Sequence, residues 1–356
     1  MESRRKIQRR ESQQHEIIDG IIDNRDWGAG LPDDILGMIV KRLPLIDCLA
    51  FGHVCKQWRT ALIIKENLCK KTCQVPCVMM PGKRDREKIT CLSILDGGVW
   101  EMELPEAYGR YCWESYRDWL FLVNAHHPGI LKISLLNPFS RCKYNLPDIS
   151  NCFSKLVLSG VPSEKGFTCM LVNFGGEVAF YIQGAHSWYG YKPYKDHDQY
   201  KGGWRFEDTI YHEGYYYLLT CTENILKIDA ASAYNFARDE GDSKIEIEHN
   251  ELYKDVRLTD EFMSIQRYLV ESDGDILLVC RNLSQGQKDR PLQAKGFHIY
   301  KADFLYSFWT TVDSLGDQTL LIARGFSKSF TSKDLGLSMS TPLYFGGGTN
   351  GTWMNS

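Results

Sequence analysis

Residues 118–136 read DWLFLVNAHHPGILKISLL, and residues 213–229 read EGYYYLLTCTENILKID. In each, an aromatic-led apolar run meets a loop, and a second run then opens on Ile-Leu-Lys-Ile. Aromatic and β-branched residues at this density, bounded by turn residues such as His126-His127-Pro128-Gly129, argue two strands joined by a hairpin. A helix would need apolar residues at intervals of three and four over ten or more positions, and neither stretch has them.

Working outward, the same texture fills the chain from about Val75 onward. KITCLSIL, VWEMEL, KLVLSGV, FTCMLVNF, EVAFYIQ, DTIYHEGYYYLLT, YLVES, DILLVC, GFHIYKAD and WTTVDSL all lie between turn clusters, with no helix-length pattern among them. Residues 75–345 are therefore expected to form an all-β domain, too long for one simple sandwich. A β-propeller is the economical arrangement, because radial repetition of small sheets disposes of exposed strand edges. Two copies of the shared hairpin do not fix the number of blades. Residues 346–356 are expected to be a flexible tail.

The region before it is helical in pattern. In LPDDILGMIVKRL, the residues Leu31, Ile35, Leu36, Ile39, Val40 and Leu43 recur at intervals of three and four. Pro32 is harmless in a first turn, and Asp33 and Asp34 face the positive helix end. Pro44 ends this helix and Asp47 is placed to cap a second segment. LAFGHVCKQWRTALI then sets Leu49, Val54, Cys55, Trp58 and Leu62 on one side. Two or three helices this short hold little apolar volume, so their stripes are expected to need another surface.

Forty-two basic against 45 acidic residues leave a net charge of −3, which supplies no global field for nucleic acid or an anionic membrane. No apolar run approaches the roughly 18–20 residues that span a bilayer. The start, MESRRKIQRRESQQ, lacks the apolar stretch of a secretory signal, so an intracellular location is expected, with the 12 cysteines as reduced thiols. Residues 1–26, with RRKIQRR ahead of Glu16, Asp19, Asp23 and Asp26, are expected to be a disordered charged tail.

In order and spacing, Leu31-Pro32, Asp34, Ile35-Leu36, Ile39, Arg42-Leu43-Pro44, Leu49, Val54-Cys55-Lys56 and Trp58-Arg59 resemble the F-box, over residues 27–70. The strings SLLNPFSRCKYNLP, FEDTIYHEGYYYLLT, RYLVESDGDILLVCR and FHIYKADFLYSFWTTVDSLGDQTLLIARGFSKSF resemble the C-terminal domain of plant F-box proteins, often described as kelch-like. The resemblance implies a small all-α F-box followed by a kelch-like β-propeller, and a non-catalytic substrate receptor of an SCF-type ubiquitin ligase without a cofactor. It implies that the F-box binds a Skp adaptor and through it a cullin, while the β domain holds an unknown target protein. Leu31, Pro32, Ile35, Leu36, Ile39, Leu43, Leu49, Val54 and Trp58 are the expected adaptor contacts or the core that presents them. The alternative is a ligand-binding or enzymatic propeller with the helices as a structural cap.

Cys69, Cys73 and Cys77 are spaced by three residues, but zinc sites use two separated pairs of ligands and no fourth ligand is near, so free thiols are expected. His186, His197 and His212 lie among tyrosines and aspartates without a ligand signature. No phosphate loop, dinucleotide fingerprint or nucleophile elbow occurs. In the aromatic stretch after Ala185, blade packing accounts for Trp204, Phe206, Tyr215 and Tyr217. Trp188, Tyr189, Tyr191 and Tyr194 lie between turn residues, where packing explains them less well, and they are the expected target-binding cluster.

Overall fold

The computed structural model describes residues 30–43, 45–63, 77–79, 88–93, 98–117, 119–127, 130–138, 140–149, 153–162, 166–193, 205–254, 264–283, 294–323, 326–333 and 335. The chain divides into two compact units, Met1–Cys73 and Gln74–Ser356. The expected tails, 1–26 and 346–356, lie outside the described residues.

The first unit holds α1 (Asp33–Arg42), α2 (Leu45–Val54) and α3 (Lys56–Ile63). The Pro32 carbonyl accepts the amides of Ile35 and Leu36, and Asp33 and Asp34 meet the positive end of α1. Contrary to the expectation that so few residues need an outside surface, the three helices build a core of their own. Leu36, Val40, Cys48, Phe51, Ala61 and Leu62 are buried together, and the Phe51 and Trp58 rings lie 4.4 Å apart. Gln57 Nε2 donates to the Leu31 carbonyl and to Asp33 Oδ1, both at 3.0 Å, tying α3 to the start of α1.

In the second unit, β1 (Cys77–Met79), β2 (Lys88–Ser93) and β3 (Val99–Glu103) form one sheet, and a 3-10 turn at Pro105–Ala107 follows. Three four-stranded meanders come next. They are β4 (Tyr111–Tyr116) to β7 (Lys143–Asn145) with β5 (Trp119–His127) and β6 (Ile130–Leu136) between them; β8 (Phe153–Leu158), β9 (Thr168–Asn173), β10 (Val178–Ile182) and β11 (Tyr189–Tyr191); and β12 (Phe206–His212), β13 (Tyr215–Thr220), β14 (Ile225–Asp229) and β15 (Ile247–Asn250). A fifth sheet holds β17 (Ser264–Ser272), β18 (Asp275–Leu283), β19 (Ala294–Asp303) and β20 (Phe308–Thr311), with the short β16 (Tyr253–Lys254) paired parallel to β20. The last hairpin is β21 (Gln318–Ala323) and β22 (Phe326–Thr331).

Period two has a specific cause here, because each central sheet buries both faces. On β9, Met170 and Val172 join one core while Cys169 and Leu171 join the next. On β13, Tyr216 and Leu218 face one neighbour and Tyr217 and Leu219 the other. Neighbouring sheets are stacked like blades, and among the described residues the strands β4, β8, β12, β17 and β22 lie side by side in that order, with β22 next to β4 again. A closed ring of neighbours is what a propeller requires, and the ring runs through five sheets.

Two local expectations need correction. DTIYHEGYYYLLT is two strands, not one: Glu213 (φ 44°) and Gly214 (φ 87°) both adopt positive φ and make the two-residue turn that a right-twisted hairpin prefers. The β domain also contains a helix, α4 (Ala230–Arg238), capped by Asp229, whose Oδ2 accepts the Ser232 amide at 2.6 Å.

Candidate functional site

On the helical unit, the nine residues expected at the adaptor surface divide by depth. Leu36 is wholly buried, whereas Leu31, Ile39, Leu43 and Trp58 are half-buried against the core. Pro32 is exposed, Ile35 is 41% exposed and Val54 is 55% exposed. Leu49 belongs to α2. Met38, 47% exposed, was missed; its position three residues after Ile35 on the outer side of α1 was the available signal. Val54, Cys55, Trp58 and Leu62 do not share a side as expected, because the helix breaks at Cys55 and turns Leu62 into the core. Among the described residues the helical unit thus has a small core of its own, with Ile35, Met38 and Val54 exposed outside it.

The aromatic cluster of the β domain is placed differently from expectation. Trp188 donates its indole N–H to the Pro147 carbonyl at 2.9 Å and lies 5.6 Å from the Tyr181 ring. Tyr189 and Tyr191 form β11 and pack on the core beneath it, Tyr191 edge-on to Phe236 at 5.6 Å. Packing thus does account for these three: Trp188 joins one core beside Tyr181, while Tyr189 and Tyr191 join the neighbouring core, to which the unforeseen α4 contributes Phe236. Tyr194, like Trp204 and His197, lies outside the described residues.

A polar cluster that the sequence reading passed over sits where the β13–β14 turn meets the fifth sheet. Glu223 Oε2 pairs with Lys254 Nζ at 2.6 Å and Oε1 with Arg267 Nε at 2.7 Å. The Glu223 carbonyl accepts the Trp309 indole at 2.9 Å, so the turn is held through main chain and side chain alike. Lys254 Nζ also lies 4.1 Å from the Tyr300 ring centre and 3.8 Å from Cys280 Sγ. Burial raises the Glu223 carboxyl, but the hydrogen bonds and charges of Lys254 and Arg267 outweigh it and hold the group below its usual range. Burial pushes the Cys280 thiol up to about 11, so it is neutral at pH 7. Arg267 occupies the phase of its strand that otherwise carries Ile265 and Leu269, a charge at an apolar position that was the one legible hint.

Among the described residues, no group of three or more His, Cys, Asp or Glu side chains comes together to hold a metal ion, and no helix is long and apolar enough to cross a membrane. His186 is exposed in the β10–β11 turn, and His212 Nε2 lies 3.8 Å from Glu213. Cys69 and Cys73 lie outside the described residues, and the eight cysteines whose side chains are described form no disulfide with one another.

Two domain families match the chain: the F-box domain over residues 29–70 and the KIB1-4 beta-propeller over residues 91–345. The F-box protein At2g26160 of Arabidopsis thaliana is 23% identical over 359 residues, covering 91% of this chain and 96% of that protein. The putative F-box protein At2g33200 of the same plant is 24% identical over 317 residues, covering 84% and 79%. Among solved structures, TolB from Acinetobacter baumannii overlaps 76% of this chain and 63% of that one at a TM-score of 0.35 and 9% identity, a distant likeness. The kelch-like expectation is thereby corrected to a different propeller type. The chain belongs to the KIB1-4 β-propeller family and carries an F-box ahead of the propeller.

Proposed function

We propose that this protein is the substrate-recognition subunit of an SCF-type ubiquitin ligase, docking through its three helices on a Skp-family adaptor carried by a cullin. Its propeller holds the protein to be modified, and the complex works inside the cell, in the cytoplasm or nucleus. The observation that carries this is the exposed apolar set Ile35, Met38 and Val54 on a helical unit whose described residues already form a core. These three side chains lie outside that core, and a helical partner offering a groove would cover them. F-box proteins as a class serve such ligases, and the F-box and propeller together fit that role. The mechanism is proximity: the receptor raises the local concentration of target lysines beside a conjugating enzyme that other subunits bring, and no side chain of this chain is assigned a catalytic step. Of the aromatic cluster, Tyr189 and Tyr191, half-buried on edge strand β11, stay within reach of a target, while Trp188 is engaged in its blade.

Co-expression with a Skp-family protein and affinity capture tests the reading. The wild-type chain is expected to retain the adaptor. The double variant Ile35→Asp, Val54→Asp is expected to lose at least tenfold of that retention with unchanged helical circular dichroism, because both side chains already face water. Failure of the wild-type chain to retain any Skp-family protein would overturn the proposal.

A further inference from the structure

The turn between β19 and β20 carries apolar side chains outward. Leu305 is 83% exposed and Tyr306 77%, and Tyr253 on β16 is 65% exposed. Among the large apolar side chains of the described residues, only Val99 falls within that range. The three share one place: Tyr253 donates its amide to the Ser307 carbonyl at 3.0 Å and pairs with Phe308, so β16 brings it against the end of the turn. A single exposed leucine needs no reason, but three such side chains gathered at one edge do.

The backbone holds them in place. Phe304 packs inward with its ring 5.9 Å from that of Tyr217, which anchors the turn to the fourth sheet. Asp303 Oδ1 accepts the amides of Leu305 and Tyr306, both at 3.0 Å, and Ser307 takes a positive φ of 55° before β20 begins. Leu252 turns into the core between the fourth and fifth sheets and leaves its neighbours Glu251 and Tyr253 exposed. A surface fixed in this way loses little entropy when a partner covers it.

The rim is acidic. Glu223 pairs with Lys254 and Arg267, and the charge of Glu207 also acts on Arg267. Lys301 pairs with Asp275 at 2.7 Å, and Lys227 with Glu248 at 3.3 Å. Glu251 and Asp303 are left without a cation within 4 Å among the described residues. Two such carboxylates repel the phosphates of nucleic acid and anionic lipid and attract lysine or arginine. The alkyl stems of those residues lie well on apolar surface, and tyrosine ring faces accept their charged ends.

We infer that this edge of the fifth sheet docks a basic segment of the target protein in which an aliphatic side chain stands between lysines or arginines. The aliphatic group covers Leu305 and Tyr306, and the cations meet Glu251, Asp303 and the tyrosine rings. The inference rests on the substrate-receptor reading and names the class of target segment it would hold.

Fluorescence anisotropy on the full chain with its Skp-family adaptor tests this, using a fluorescein-labelled (Lys-Leu-Lys-Gly)3 peptide beside (Glu-Leu-Glu-Gly)3 and (Lys-Ser-Lys-Gly)3. The lysine-leucine peptide is expected to bind at least tenfold more tightly than either counterpart. Leu305→Ser with Tyr306→Ser is expected to abolish that preference at an unchanged melting temperature, because both side chains already face water. Glu251→Gln with Asp303→Asn, which keeps an oxygen for the two turn amides, is expected to weaken binding and flatten its dependence on salt. Equal affinity for the three peptides, or a preference that survives the serine variant, would overturn the inference. So would sedimentation showing a dimer of this chain that the serine variant dissociates, since the patch would then serve self-association. Adaptor retention in the same preparation separates the two readings: adaptor kept with no peptide preference removes the docking edge alone, and adaptor lost removes the ligase role.

Discussion

At Glu223 a single carboxylate faces two cations, Lys254 and Arg267. Glu223 is largely shielded from water, as are Lys254 and Arg267, so removing its charge leaves two poorly hydrated cations facing each other. Glu223→Gln is expected to lower stability by about 3 kcal/mol at pH 7, in the range for breaking a buried pair. Its pH dependence has a definite sign. The folded-state pKa lies below the usual value near 4.5, so the contribution is complete above that value and is lost as pH falls through the folded pKa. Urea titrations from pH 7 to 3 are expected to show wild type losing more stability on acidification than Glu223→Gln; parallel curves would show that the pair contributes nothing. Thiol reactivity follows the same logic of burial. Cys280 and Cys91, both pushed up to about 11 by burial, are expected to resist alkylation at pH 7.5, while the exposed Cys142 and Cys221 react before them, as peptide mass spectrometry of briefly labelled native protein would show.

Among the elements, α2 and α3 meet through a position with no room. A Cβ at Gly52 would lie 2.9 Å from Leu62 Cδ2, and Leu62 is 1% exposed within the small core, so the leucine has little freedom to yield. Arg59 Nε donates to the Gly52 carbonyl at 3.1 Å and fixes the same approach from outside. Gly52→Ala is expected to cost about 1–3 kcal/mol by overpacking. The cost should shrink in a Leu62→Ala background, a coupling that a double-mutant cycle by thermal unfolding measures. Helix α1 was legible because its apolar spacing is local. Helix α4 was not, since Ala230, Ala233, Phe236 and Ala237 span barely two turns and alanine makes a faint apolar signal. The break at Cys55 hid for a related reason: one non-helical residue rotates everything after it, and no proline or glycine marks the spot. Arg267 was visible as a charge in apolar phase, but its partners Glu223 and, through it, Lys254 were brought together only by the fold. Pairing between distant segments is what a single sequence withholds.

At the scale of the whole β domain, the ring of innermost strands poses a backbone problem that buried carboxylates answer. A strand with a partner on one edge only has N–H groups pointing at no ladder, and in a closed ring these face neighbouring sheets instead of water. Glu114 on β4, 6% exposed, accepts the Leu156 amide of β8 at 3.2 Å. Asp208 on β12 accepts the Leu269 amide of β17 at 2.8 Å and also pairs with Lys155 of β8. Ser272 of β17 and Ser329 of β22 continue the series at 2.8 Å. Polar links thus accompany apolar stacking from β4 round to β22, and Asp208 joins three consecutive sheets. Asp208→Ala would leave the Lys155 ammonium, whose side chain is 14% exposed, without its counter-ion and the Leu269 amide without an acceptor. The expected loss is about 3–5 kcal/mol. Asp208→Asn, which keeps an oxygen for the amide and gives up the charge, should fall between wild type and alanine. Guanidinium unfolding of the full chain, followed by tryptophan fluorescence, measures both variants. If alanine costs less than about 1 kcal/mol, apolar stacking of the blades alone holds the ring, and the carboxylates are satisfied bystanders.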